Sequence, residues 1–95
     1  MRLFLRLSAD VNDRLRMMTR YHGELSLFID QALTSLDLLS IELRIGALCR
    51  GSKAITAIVS RSANARVRAA AQQRHCTLTA IANSALNEWL GERHA

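Results

Sequence analysis

The chain has 95 residues and lacks several things. It contains no proline, four glycines, two cysteines and few aromatics, namely one tryptophan, one tyrosine and two phenylalanines. Without proline or a low-complexity tract, nothing holds a segment out of regular structure, so the sequence predicts a chain folded nearly end to end. Cys49 and Cys76 lack the paired spacing of a metal site. Two cysteines in a basic protein fit a reducing cytoplasm, where both are expected as free thiols. Long apolar runs are missing too. The most apolar window, Leu36 to Leu48, is broken by Asp37, Glu42 and Arg44, which excludes a membrane span. The opening stretch Met1 to Leu7 does not read as an export signal, because Arg6 interrupts it and Asp10, Asp13 and Arg14 follow closely. Acidic residues are scarce, 8 against 13 lysines and arginines, leaving a net charge of +5. That excess favours a polyanionic partner, nucleic acid first and an anionic membrane surface second; a merely solubilising surface is the alternative.

What is present is a pattern that occurs twice. Leu3, Leu5 and Leu7 alternate with Arg2, Phe4 and Arg6 before Ser8, and Ile55, Ala57 and Val59 alternate with Ala54, Thr56 and Ile58 before Ser60. Period-two alternation places each set on one face of a strand, and the serines are good helix N-caps. The offset is 52 at the serines (60 − 8) and 53 at Ala32 and Ala85 (85 − 32), so one inserted residue reconciles the halves. Two copies are too few for a solenoid, and half this length buries too little surface to be stable alone. The repeat therefore predicts two copies of one unit sharing a core.

In the first copy, Val11, Leu15 and Met18 form a helical stripe that Gly23 is expected to end. A second helix from about Leu25 buries Phe28, Ile29, Ala32, Leu33 and Leu36, and the apolar pattern continues through Leu39, Leu43 and Ala47. This predicts an extended second helix, with the breakers Gly46 and Gly51 before the next strand. The expected boundaries are residues 1–48 for the first unit, 49–53 for a connector and 54–95 for the second unit. In the second copy the smaller Ala63, Val67 and Ala70 replace the first stripe, so either the helices pack more closely or larger first-half side chains fill the space. Thr77 caps a last helix burying Leu78, Ile81, Ala82, Ala85, Leu86 and Trp89, expected to end near Gly91.

A lone amphipathic strand needs a ladder partner. Pairing the two strands gives a mostly α fold with a two-stranded antiparallel ribbon, in the order β-α-α-β-α-α. Here the chain resembles the ribbon-helix-helix family, which includes the Arc and methionine repressors and plasmid copy-number regulators. Arg2-Leu3-Phe4-Leu5-Arg6-Leu7-Ser8 looks like that family's strand and cap, and Gly23-Glu24-Leu25-Ser26 with Ile29, Ala32 and Leu33 resembles its helix-turn-helix core. The second copy matches through Ile55 to Ser60 and Thr77 to Leu86. Two units in one chain resemble the tandem members among conjugative-plasmid accessory proteins, in which one polypeptide makes an intramolecular pseudo-dimer. The connector also permits two chains to exchange units.

The resemblance implies a ribbon that enters the DNA major groove and reads base edges with alternate residues. The implied readers are Arg2, Phe4, Arg6, Ala54, Thr56 and Ile58. Lys53 and the first amides of the second helices, at Leu25, Ser26, Leu78 and Thr79, are implied phosphate contacts. Glu24 stands where a serine or threonine cap is usual, and a carboxylate there competes with phosphate for the same amides. Cys76 stands where the first half has Gly23, so the second turn is expected to differ. The apolar second strand predicts base reading mainly by the first strand, giving an asymmetric operator half.

Other residues have plainer readings. Arg14, Arg16, Arg20, Arg66, Arg68 and Arg74 are expected on solvated helix faces, with flanking phosphates as their alternative partners. His22 and His75 near helix ends have no accompanying ligand set, so no metal or cofactor is expected. No nucleophile, base and orienting group stand in recognisable spacing, which predicts neither an enzyme nor a small-molecule substrate. The leading function is a double-stranded DNA-binding regulator, a repressor or a plasmid maintenance or transfer factor, with a second copy of itself as a possible neighbour on adjacent sites and no membrane partner. The alternative is a protein-interaction module such as an antitoxin; antitoxins of this family usually extend beyond the second helix, whereas only Glu92 to Ala95 follow Gly91 here.

Overall fold

The computed structural model describes residues 1–21, 23–43 and 53–94. These form β1 (Arg2–Leu7), α1 (Ala9–Met18), α2 (Glu24–Ser35), β2 (Lys53–Ile58), α3 (Arg61–Gln73) and α4 (Leu78–His94). The described residues are thus mostly helical, with four helices and a two-stranded antiparallel sheet.

Alternation dictates the ribbon. β1 pairs with β2 in the register Arg2 to Ile58, Phe4 to Thr56 and Arg6 to Ala54, which puts these six residues on one exposed face. The Val59 amide donates to the Met1 carbonyl at 2.8 Å and the terminal amino group donates to the Val59 carbonyl at 3.0 Å, extending the pairing. Leu3, Leu5, Leu7, Ala57 and Val59 point the other way and are buried; Ile55 is half-buried against them. An isolated ribbon of this size is marginal in water, so the helices behind it supply the burial it needs.

Local signals set the helix starts. The Ser8 hydroxyl accepts from the Val11 amide at 3.3 Å, the Ser60 hydroxyl from Ala63 at 3.1 Å and the Thr77 hydroxyl from Ala80 at 3.1 Å, each satisfying an amide that has no partner within its helix. The inner faces of the four helices meet in one core. Val11 and Leu15 come from α1, Ile29, Ala32 and Leu33 from α2, Ala63, Val67 and Ala70 from α3, and Ile81, Ala82, Ala85, Leu86, Trp89 and Leu90 from α4. Met18 is only partly buried. Trp89 packs its ring 5.6 Å from Phe28, in keeping with a core role.

Several boundaries differ from the sequence reading. α1 stops at Met18, where the Thr19 amide bonds back to Leu15 and Arg16; Gly23 instead precedes α2 as its N-cap, at φ 98. α2 stops at Ser35 rather than running on through Leu39 and Leu43, because Leu36 is extended and Asp37 builds a turn whose carboxylate accepts from the Leu39 amide at 3.1 Å. Leu38 and Ile41 are buried from that turn. Their apolar character reflects packing without helix, while Ala47, Gly46, Gly51 and Cys49 lie outside the described residues. β2 begins at Lys53, opposite Leu7, so this residue belongs to the ribbon and not to a connector. α4 continues through Gly91 to His94; a single helical glycine costs about 1 kcal/mol, too little to end a helix anchored by Trp89 and Leu90.

Leu38 and Leu39 line a shallow cleft with Ala69, Ala70 and Gln73. Arg74 holds this segment in place by donating to the carbonyls of Leu38 at 3.0 Å and Ile41 at 2.7 Å.

Candidate nucleic-acid interface

The exposed ribbon face carries three chemistries. Arg2 and Arg6 supply guanidinium groups, Thr56 a hydroxyl, and Phe4 and Ile58 apolar surface that is 73% and 64% exposed. A planar guanidinium can donate twice to guanine O6 and N7, a hydroxyl can donate or accept, and an apolar side chain can meet a thymine methyl. Phe4 stands at the middle of the ribbon opposite Thr56 and Ile58 at one end opposite Arg2, so the exposed face is partly apolar along its length.

The ribbon is held to the helices by two sets of bonds at matching positions of the two halves. The Ser26 hydroxyl accepts from the Ile58 amide at 3.1 Å, and the Thr79 hydroxyl accepts from the Arg6 amide at 3.3 Å. The Asp30 carboxylate accepts from the Ser60 amide at 3.1 Å and its hydroxyl at 2.8 Å, while the Asn83 side-chain oxygen accepts from the Ser8 amide at 2.8 Å. Asn83 also donates to the carbonyls of Arg6 and Thr79, each at 2.9 Å. Each strand is thereby pinned at its end by the second helix of the other half. Asp30 and Asn83 went unnoticed in the sequence, although their separation of 53 (83 − 30) equals the repeat offset and each offers a side-chain acceptor.

The first turns of α2 and α4 therefore lie beside opposite strand ends. By helix geometry the amides of Leu25 and Ser26, and of Leu78 and Thr79, have no acceptor within their helices, and the macrodipole makes these ends favourable for an anion. Glu24 does not lie across the first of them: its carboxylate turns back and accepts from the Arg20 amide at 2.7 Å. A groove of about 460 Å³ opens here, with Arg16, Tyr21 and Ser26 on one side and Thr56 and Ile58 on the other. Lys53 is exposed at the ribbon end opposite Leu7.

The other end of α3 replaces the expected role of Cys76. His75, at φ 54, takes the positive-φ position that Gly23 takes in the first half. Its amide bonds to Gln72 at 3.3 Å and that of Cys76 to Ala71 at 3.0 Å, a Schellman closure with Cys76 packed on the core.

The arginines expected on solvated faces divide. Arg66 donates to the carbonyls of Leu33 at 3.0 Å and of Leu36, capping α2. Arg68 donates to Asn64 at 3.0 Å, and Arg14 bridges Asp10 at 3.4 Å and Asn87 at 3.3 Å. Arg66 and Arg74 thus supply donors to carbonyls at and after the end of α2, which have no partner within the helix, whereas Arg68 and Arg14 bond to side chains on their own and neighbouring helices. Among the described residues no group of three or more His, Cys, Asp or Glu side chains is arranged to hold a metal ion, and no helix is long and apolar enough to cross a membrane. Comparison with protein-family models, curated proteins and solved structures finds no match for the chain.

Proposed function

We propose that this chain is a sequence-specific double-stranded DNA-binding protein, a repressor or a plasmid maintenance or transfer accessory factor, acting in the cytoplasm without catalysis. Its two halves, each strand-helix-helix, act as tandem ribbon-helix-helix units that form a pseudo-dimer within one chain. The ribbon enters the major groove, Arg2, Phe4, Arg6, Thr56 and Ile58 face the base edges with Ala54, and the first turns of α2 and α4, with Lys53, hold phosphates on either side.

One observation carries this reading: a two-stranded ribbon presents alternating cationic and apolar side chains to solvent while flanked by two helix N-termini. The net charge of +5 supports it, since phosphate neutralisation supplies much of the affinity for DNA. β1 pairs with β2 of its own chain, which supports a monomer of 10.6 kDa as the binding form.

The test is selection from a random duplex pool at increasing salt, with the Arg2→Ala/Arg6→Ala protein alongside. Enrichment of one motif by the parent, lost in the double variant, is the expected result. Binding that salt abolishes without any enriched motif would refute sequence-specific reading, and capture of a protein partner through the ribbon face in its place would favour an antitoxin-like module. Light scattering giving twice 10.6 kDa in the absence of DNA would refute the intramolecular pseudo-dimer.

A further inference from the structure

The bonds that pin the ribbon match between the halves, but the face they present does not. Under the repeat offset Phe4 corresponds to Thr56, and the register sets those two residues opposite each other, at the middle of the ribbon. One end carries Arg2 opposite Ile58, and the other carries Arg6 opposite Ala54. Both arginines come from β1, yet an antiparallel pairing separates them to opposite ends. Reading mainly by the first strand therefore does not put both arginines in one half of the site. Each end of this face has one guanidinium and one aliphatic group, and the two aliphatic groups differ in size.

Resting on the DNA-reading proposal above, we infer that the chain binds its site in a single orientation: each half-site has one guanine read by arginine, and Ile58 against Ala54 is the polarity determinant. Arg2 and Arg6 are four residues apart on one strand, about 13 Å at the usual rise, which spans about four base pairs. Ile58 is 64% exposed and long enough to press on a thymine methyl beside the guanine of Arg2. Ala54 ends at its β-carbon and leaves the corresponding base at the other end untouched. The matching positions of the scaffold would suit a palindrome; the side chains distinguish its two halves. Phe4, 73% exposed, and Thr56 face the central step, where the two strands differ again.

The experiment is pool selection followed by binding to single-base variants of the selected site, using the parent, Arg2→Ala, Arg6→Ala and the exchange variant Ala54→Ile/Ile58→Ala. All four changes are at exposed positions, and a thermal melt of each protein checks that the fold is kept. The parent is expected to select a motif that is not self-complementary, with two guanine positions about four base pairs apart. Arg2→Ala is expected to lose discrimination at one guanine and Arg6→Ala at the other, each by roughly tenfold or more. The exchange variant is expected to move the thymine preference from the Arg2 side to the Arg6 side. A palindromic motif, relaxation of the same base by both arginine variants, or an unmoved thymine preference would overturn this inference while leaving DNA reading intact. Selection of no motif would overturn both.

Discussion

Asn83 and Asp30 occupy the same place in the two halves, but they are not interchangeable, and the difference can be measured. Asn83 is 4% exposed and uses both ends of its amide: the oxygen accepts from Ser8, and the nitrogen donates to Arg6 and Thr79. Asn83→Asp keeps the acceptor but sets a second carboxylate oxygen against two carbonyl oxygens, removing two bonds and burying a charge. An unmade buried bond costs about 1–3 kcal/mol and the added charge raises this, so a loss of about 3 kcal/mol is expected. The reverse change, Asp30→Asn, keeps an acceptor for Ser60 in a more open setting and is expected to cost under about 1 kcal/mol. A domain of this size has about 5–14 kcal/mol of stability in all, so the first loss is a large share of it and lowers Tm by about 12–24 °C. Urea melts followed by circular dichroism and by Trp89 fluorescence, coincident if unfolding is two-state and with an unchanged m-value, give both numbers. Equal losses for the two variants would refute the assignment of two donor bonds to Asn83, as would a milder effect at Asn83 than at Asp30.

Three further outcomes follow from the packing. Arg66→Ala removes the cap on the last carbonyls of α2 and is expected to cost about 1 kcal/mol, with amide exchange accelerating first at the α2 end when followed by NMR. His75→Gly relieves a left-handed conformation at the end of α3 and is expected to stabilise by about 0.5–1 kcal/mol; a lower Tm would refute the Schellman assignment. Ala63→Leu forces added volume into a fully buried position that corresponds to Val11, with an expected loss of about 1–3 kcal/mol in the same urea melts.

The strands, the caps and most of the core were legible because they depend on local periodicity. Three leucines in strict alternation before a serine leave little freedom, and the weaker second strand became readable by comparison with the first. The end of α2 was not legible, since Leu39 and Leu43 continue a helical pattern although the chain turns at Asp37 and buries Leu38 and Ile41 instead; only the carboxylate of Asp37 hinted at it. The functions of Arg66, Arg74 and Asn83 were hidden for another reason: the partners they bind across the fold lie 30 to 77 residues away in the chain, so no short window of sequence contains both members of those bonds. Of the candidate interface, the six outward ribbon residues were legible from alternation, but their distribution between the two ends was not. That depends on register, which the facing strand sets.

Under the proposed pairing of β1 with β2 within one chain, ribbon formation is first order and the folded fraction does not fall on dilution, as it would if two chains each contributed a strand. The covalent connection has a second effect. In a pair of identical chains every substitution occurs twice, once on each side of the axis, and a change that suits one side must be tolerated on the other. Here a substitution occurs once. On the tandem-unit proposal, Asp30 can therefore differ from Asn83, Gly23 from His75 and Arg6 from Ile58 without a matching change on the other side of the axis.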